Sequence, residues 1–229
     1  MRTLLATLMF AMLIWALPVQ AMPTPIFGPA SEDLDAMGWR VLTFAGIPAT
    51  RFEQQDDGAI AIEAMSSSAI LFKRLPRDSE GHTLTWRWKV AKGLPPTDQD
   101  QKGSDDRPLA VHVWFDPLVE TSGLLKTLVS NFGFDVPGRV LTYVWGGNGD
   151  TGDVLVNPHY EDEGRIIILR GGRPPENIWL TERVNLAADY RRAFGDEAPP
   201  PAYVAVSGDA DDLHAMSQGL ISDLTLLPD

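Results

Sequence analysis

The segment from Thr83 to Ala91, TLTWRWKVA, constrains the fold of this chain more than any other stretch. Its apolar and polar side chains alternate strictly, and successive side chains of a β-strand point to opposite faces. The apolar set is Leu84, Trp86, Trp88 and Val90. The segment therefore predicts a strand with one buried and one solvated face, which needs a second layer of structure to cover its apolar side.

Further strand patterns recur along the chain and are separated by turns. The predicted strands are 50–53, 59–65, 68–75, 83–91, 109–115, 139–145, 165–170, 178–184, 202–207 and 220–227. Two short helices are also predicted, one over 122–132 and one that begins at the N-cap Asn185 and ends at Gly195. Because strands and helices do not alternate, a parallel doubly wound sheet is not expected. The pattern favours a mainly β fold in which two antiparallel sheets pack as a jelly-roll-like sandwich.

Residues 1–21 have the pattern of a secretory signal peptide. One positive charge at Arg2 precedes an apolar run over 4–17, and small side chains stand at Val19 and Ala21. We expect cleavage after Ala21, a single β-sandwich domain over 22–229, and a periplasmic or secreted protein without a membrane span. An uncleaved anchor is the alternative, because the apolar run is not far short of the ~18 residues that a span needs.

Composition narrows the set of partners and chemistries. The formal net charge is -12 at pH 7, so the chain would repel phosphate backbones, and nucleic acid is not an expected partner. The chain has no cysteine, which excludes thiol catalysis and thiolate zinc sites. A secreted domain of this size can be stable without disulfides because its core is large enough.

Two acidic loops form the first candidate site. Asp105 and Asp106 precede one predicted strand, and Asp209, Asp211 and Asp212 follow another. Carboxylates in irregular loops are the ligands that Ca²⁺ prefers, so Asp209 and Asp211 are candidate calcium ligands. The alternative is that these aspartates cap turns and keep strand edges soluble.

Two tryptophans favour a cleft beside these loops. Trp114 and Trp145 lie at predicted strand ends next to polar segments, whereas Trp86 and Trp88 share the face that the alternation marks as core. Ligand pockets combine apolar and aromatic walls with a few polar groups. The candidate ligand-binding residues, for a saccharide or another envelope component, are Asp106, Trp114, Trp145, Asp209 and Asp211.

The segment around the second helix is rich in charge. We expect Arg183, Asp189 and Arg191 to form structural ion pairs that hold the helix on a sheet. The alternative is that Arg183 or Arg191 binds an anionic ligand through forked hydrogen bonds.

Motifs for catalysis are sparse. The sequence contains no G-x-S-x-G elbow, no H-E-x-x-H pair and no phosphate-binding glycine loop. Asp106 and Asp209 are the candidate carboxylate pair for glycoside hydrolysis, which would require a separation of about 5–10 Å in an open cleft.

Several motifs in order resemble a known family. They are TWRWKV at 85–90, SDDRPLAVHVWF at 104–115, LTYVWG at 141–146, IIILRGG at 166–172, WLTERVNLAADYRRAFG at 179–195 and VAVSGDADD at 204–212. Together they resemble Domain of Unknown Function family 3047, a family of bacterial secreted proteins. The resemblance implies a β-sandwich similar to carbohydrate-binding and galactose-binding-like modules, and no agreed activity.

Three hypotheses of function follow. The leading one is a non-enzymatic periplasmic protein that binds a saccharide or another envelope component. The others are a glycan-acting hydrolase that uses Asp106 and Asp209, and a structural protein whose strand edges pair with a partner.

Overall fold

The computed structural model describes residues 22–27, 33–77, 79, 81–116 and 138–228. The expected signal peptide over 1–21 and the expected helix over 122–132 lie outside these residues. Within them, no helix is long and apolar enough to cross a membrane.

The described residues form strands and one helix. The strands are β1 Thr24–Pro25, β2 Trp39–Thr43, β3 Arg51–Gln54, β4 Ile60–Met65, β5 Ser68–Arg74, β6 Thr83–Lys92, β7 Arg107–Phe115, β8 Val140–Trp145, β9 Val154–Val156, β10 Gly164–Arg170, β11 Leu180–Asn185, β12 Pro201–Asp209 and β13 Met216–Leu227. The helix, α1, spans Leu186–Phe194.

The strands form two sheets, which confirms the mainly β sandwich. The first sheet has six strands in the order β11-β6-β13-β4-β3, with β1 paired to β13, and the second has seven in the order β2-β5-β12-β7-β8-β10-β9. The expectation of purely antiparallel sheets is wrong at one pair, because β8 and β10 are parallel. The short strand β9 lies at the edge of this sheet and pairs with β10 in an antiparallel direction. Strand β10 lies between β9 and β8 and runs parallel to β8. The jelly-roll arrangement stays a prediction.

Aromatic rings join the inner faces of the two sheets. Trp86 and Trp88 of β6 are at most 1% exposed, as their alternation predicts. The ring of Trp86 lies 5.7 Å from that of Tyr143, and the ring of Trp88 lies 5.4 Å from that of Trp145, both measured between centroids. Since Tyr143 and Trp145 belong to β8, these contacts bridge the sandwich.

Helix α1 is defined by its two ends. The Asn185 side chain accepts a hydrogen bond from the Ala188 amide at 2.8 Å, and Gly195 ends the helix at φ 80°. Both caps match the sequence prediction. Leu186 and Tyr190 are buried, so the helix packs against the core and delivers the chain to β12.

Candidate functional site

A cleft of about 540 Å³ lies on the outer face of the seven-stranded sheet. In β7, Val111 and Val113 point into the core between the sheets, and the alternation turns His112 and Trp114 to the opposite face. Further lining residues come from six other parts of the chain. They are Phe44, Ile47, Ser68, Ile70, Lys102, Gly103, Asp105, Asp106, Arg107, Val140, Thr142, Asn157, His159, Tyr160, Ser207, Asp209, Asp211 and Asp212.

His112 forms the centre of the cleft floor. One ring nitrogen, Nε2, lies 2.8 Å from Ser207 Oγ on β12, and Nδ1 lies 3.0 Å from Thr142 Oγ1 on β8. The indole of Trp114 stacks on the imidazole with centroids 5.5 Å apart. Burial, together with the charge of Arg107, lowers the pKa of His112 to about 3, so the ring is neutral at physiological pH.

Arg107 links the two acidic loops along one wall. Its guanidinium lies 3.2 Å from a carboxylate oxygen of Asp209 and 3.4 Å from one of Asp105. Its backbone amide also donates to Asp209 at 2.6 Å. His159 Nε2, from the loop after β9, contacts Asp105 at 3.1 Å. This network fixes the start of β7, the end of β12 and the loop after β9 relative to one another.

The carboxyl groups of the network differ in their acidity. Burial raises the pKa of Asp209 to about 7, although the charge of Arg107 opposes this rise. Burial also acts to raise the pKa of Asp105, but the hydrogen bond from His159 and the charge of Arg107 hold it below its ordinary value. The two carboxyl groups that contact Arg107 therefore have pKa values shifted in opposite directions by their surroundings.

Asp106 holds the loop that follows β12. Its carboxylate accepts hydrogen bonds from the backbone amides of Leu213 at 2.7 Å and Asp212 at 3.3 Å. Burial raises the pKa of Asp106, and the nearby charges of Asp212 and Asp211 raise it further. Asp211 and Asp212 are themselves more exposed and lie at the rim of the cleft.

Four of the five predicted ligand-binding residues line this one cleft: Asp106, Trp114, Asp209 and Asp211. Trp145 does not. Its side chain is on the inner face of β8, 1% exposed and in contact with Trp88. Trp145 borders a separate depression of about 250 Å³. Its position at the end of a strand therefore does not place it in the cleft.

The assignment of Asp209 and Asp211 as calcium ligands stays a prediction. Among the residues that the structure describes, no group of three or more His, Asp or Glu side chains could hold a metal ion. The guanidinium and the backbone amide of Arg107 contact the two carboxylate oxygens of Asp209.

The three residues predicted to form structural ion pairs differ in their contacts. Asp189 pairs with Arg192 at 3.1 Å and accepts a hydrogen bond from the Tyr143 hydroxyl at 3.0 Å, which connects α1 to β8. Arg191 pairs with Glu197 at 2.7 Å beyond the helix, on the exposed surface. Arg183 is exposed and forms no ion pair with any described residue.

The two residues of the candidate hydrolytic pair, Asp106 and Asp209, form hydrogen bonds and an ion pair within the protein. Asp209 is bound to Arg107, and Asp106 is hydrogen-bonded to two backbone amides. Both carboxylates hold the loops that shape the cleft.

Several residues of the cleft were missed from the sequence. The alternation of β7 already placed His112 beside Trp114, and this signal could have identified it. In contrast, His159 meets Asp105 across 54 positions, and Ser207 meets His112 across 95, so no local pattern could have paired them.

The chain belongs to the family described as "Protein of unknown function (DUF3047)", whose profile matches residues 37–225. This membership confirms the resemblance that the ordered motifs indicated. Among curated proteins, no sequence match was found.

Three solved structures illustrate what this chain is similar to. The family 11 carbohydrate-binding module from Clostridium thermocellum, in complex with a β-1,3-1,4-mixed-linked tetrasaccharide, is 9% identical, with 91% of this chain and 97% of that chain covered and a TM-score of 0.44. A structure of CBM4 is 14% identical, with coverage of 90% and 94% and a TM-score of 0.37. The K3 cleaved adhesin domain of Lys-gingipain from Porphyromonas gingivalis is 11% identical, with coverage of 92% and 100% and a TM-score of 0.33. Binding of the tetrasaccharide is a property of that carbohydrate-binding module.

Proposed function

We propose that this protein is a non-enzymatic binding protein of the periplasm or cell exterior, and that its cleft holds a saccharide or another small polar component of the cell envelope. The observation that carries the proposal is the composition of the cleft. An aromatic and apolar floor, with Trp114 fixed on His112, meets a wall of positioned hydrogen-bonding groups. A pyranose ring is complementary to both surfaces, since it offers an apolar C–H face and a polar edge of hydroxyl groups.

The size and rigidity of the cleft support this proposal. Its volume of about 540 Å³ is typical of pockets for small ligands. The floor residues belong to paired strands, and the wall is fixed by the Arg107 network. A site on rigid elements loses little conformational entropy when it binds a ligand. The proposed location follows from the signal-peptide pattern of residues 1–21.

The first prediction tests this function directly. The protein, expressed from its full chain and purified, is titrated by calorimetry against a panel of envelope saccharides. We expect at least one to bind, and Trp114→Ala to weaken that binding about tenfold because it removes the stacking surface. Trp179→Ala, on the other sheet, is the matched control and should leave the affinity unchanged.

Two outcomes would contradict the proposal. One is the failure of every saccharide and envelope extract to bind the folded protein. The other is binding that is indifferent to Trp114→Ala when circular dichroism shows that the variant is folded. Fractionation of cells that express the tagged full chain tests the location, and a purely cytoplasmic signal would exclude it.

A further inference from the structure

We propose that a second surface, on the side of the sandwich opposite the cleft, binds an acidic polysaccharide. Such a ligand is a linear sugar chain that carries carboxylates at regular intervals. The surface lies on the outer face of the six-stranded sheet and consists of Arg87, Lys89, Trp179 and Arg183; we call it the basic face. The proposal goes beyond the proposed function, because it does not depend on which ligand the cleft holds.

Strand alternation places these residues on the outer face of the sheet. The two tryptophans of β6 belong to the core, so Arg87 and Lys89 on the same strand point the other way. Val184 of β11 also belongs to the core, so its neighbour Arg183 points outward. Trp179 directly precedes β11, and its ring meets the charged groups of Arg87 and Lys89. The four side chains therefore share one surface.

The three cations of the basic face stand in a row. In the pairing of β11 with β6, Arg183 lies opposite Thr85. Arg87 follows two positions along β6, and Lys89 two positions further. Residues on one face of a strand are about 7 Å apart. The row thus has a regular spacing, which suits a chain that carries one negative charge per repeat.

The basic face has an excess of positive charge in a chain whose formal net charge is -12. Arg87 lies 3.4 Å from the exposed carboxylate of Asp223. Lys89 and Arg183 form no hydrogen bond and no ion pair with any residue that the structure describes. Glu63 is two strands away from β6, on β4, and accepts a hydrogen bond from a side-chain amide. Because the screening length is about 8 Å at physiological ionic strength, this local excess decides which ligand is attracted.

Trp179 holds two of the three cations in place. The guanidinium of Arg87 and the ammonium of Lys89 each lie 5.0 Å from the centre of its ring. Cation–π contacts restrict these long side chains before any ligand arrives. A side chain that is already ordered loses less conformational entropy on binding, so the row is prepared to bind an anion.

Backbone strain flanks the basic face on two sides. Asn177 and Asp223 adopt left-handed φ values of 61° and 55°. The Asn177 amide donates to the Val90 carbonyl at 2.7 Å, which fixes the segment before β11 against the end of β6. Asp223 lies in the β-bulge of β13 that faces β6. Strained residues of this kind persist where the surrounding structure holds them, and they cluster at ligand sites.

A linear polysaccharide fits the basic face better than a membrane or a nucleic acid. A membrane is a plane, so its negative charge would also meet the acidic remainder of the protein surface. Single-stranded nucleic acid needs free aromatic faces for its bases, and Trp179 already lies under two cations. A sugar chain needs only the row of cations and hydroxyl groups beside it, which Thr85, Thr181 and Thr225 offer on the same face.

The test compares two probes that differ only in charge. The full-chain protein is titrated by calorimetry with an oligogalacturonate and with its methyl ester, which is neutral. We expect the acid form to bind at least about tenfold more tightly, because the ester loses its charge contacts with the row. The affinity for the acid form should fall at high salt, which screens exposed charges. The double variant Lys89→Gln and Arg183→Gln should weaken the acid form by about fivefold or more.

A matched control removes the same charge elsewhere on the sheet. Arg51→Gln, on the edge strand β3, should leave the affinity unchanged. Equal affinity for the two probes, binding of neither, or undiminished binding by the folded double variant overturns the proposal. Loss of binding in Trp114→Ala but not in the double variant also overturns it, because the acid chain would then lie in the cleft. Tighter binding of phosphatidylglycerol vesicles or of a single-stranded oligonucleotide would instead identify a lipid surface or nucleic acid as the partner. The proposed function of the cleft is decided separately, by the effect of Trp114→Ala on the saccharide that binds there.

Discussion

His112 shows how one buried side chain organises the candidate site. Its two ring nitrogens join hydroxyl groups on the neighbouring strands, and its ring supports Trp114. Ser207 and Thr142 are at most 2% exposed, so all three polar groups are satisfied by one another rather than by bulk water. Hydroxyl groups can turn to donate or accept, and it is therefore the loss of solvation, rather than the hydrogen bonds, that keeps the imidazole neutral.

The neutral state of His112 predicts a dependence of stability on pH. Its pKa is about 3 in the folded protein and 6.5 when unperturbed, so below pH 6.5 the unfolded state binds more protons. The contribution of the neutral His112 ring to the free energy of unfolding is complete above pH 6.5 and is lost as the pH falls towards 3. Between about pH 7.5 and about pH 5 we expect His112 to account for a loss of about 2 kcal/mol in the free energy of unfolding, measured with urea.

The control for this prediction is a comparison of the pH dependence of stability between the wild type and two variants. Asp209, with its pKa raised to about 7, contributes with the opposite sign over part of the same range. The wild type must therefore be compared with His112→Asn, which should lack the loss that His112 causes. His214→Asn, at an exposed position, should behave as the wild type does. An identical pH profile for His112→Asn would contradict the prediction.

At the scale of the elements, Glu182 ties three strands from both sheets. Its carboxylate, on β11, accepts a hydrogen bond from Trp88 Nε1 of β6 at 2.8 Å. It also accepts two from Arg170 of β10, at 2.7 Å and 3.0 Å. Because β10 belongs to the opposite sheet, a single buried acid connects the two layers at this edge of the sandwich.

Glu182→Gln is expected to lower the free energy of unfolding by about 2 kcal/mol, because the forked pair with the partly exposed Arg170 is lost while one acceptor remains. Chemical denaturation at neutral pH measures the change. Glu197→Gln breaks the exposed pair with Arg191 and should cost no more than about 0.5 kcal/mol. Equal effects of the two substitutions would show that the sheet-to-sheet connection contributes nothing.

At the scale of the whole molecule, aromatic packing holds the two sheets together without any disulfide. Trp88 has no exposed surface, and its ring meets Trp86 and Trp145 in edge-on contacts with centroids 5.4 Å away. The outer tryptophan, Trp179, instead lies under the charged groups of Arg87 and Lys89, each 5.0 Å from its ring. The two tryptophans therefore contribute to stability through different forces.

Trp88→Ala is expected to destabilise the protein by about 4 kcal/mol, since it removes buried area and leaves a cavity between the sheets. Trp179→Ala removes two cation–π contacts at the surface and should cost about 1 kcal/mol or less. Urea unfolding of the two variants, followed by circular dichroism, gives both values. A small effect of Trp88→Ala would mean that the core can collapse around the missing ring.

The sequence alone predicted most of the strands and the helix α1, since their signals are local. Alternation over a few residues marks a half-buried strand, and Asn185 and Gly195 define a helix by contacts within one turn. The strands that were missed, β1, β2 and β9, are short or lie at sheet edges, where few side chains are buried. The predicted cleft residues Asp106, Asp209 and Asp211 meet because strand ends bring their loops to one place, whereas Trp114 joins the cleft from within β7.

Tertiary structure decided the remaining features of the site. All six residues of β8 are buried, so the strand shows no alternation that could have placed Trp145 on the inner face. Arg107 meets Asp209 across 102 positions, so no local pattern could have paired them. Strand order and the parallel pairing of β8 with β10 likewise depend on contacts between distant segments. Local periodicity determines which residues form a strand and often which side is buried. The contacts of loop side chains form only once both sheets are assembled, because the free energy of those contacts depends on the whole fold.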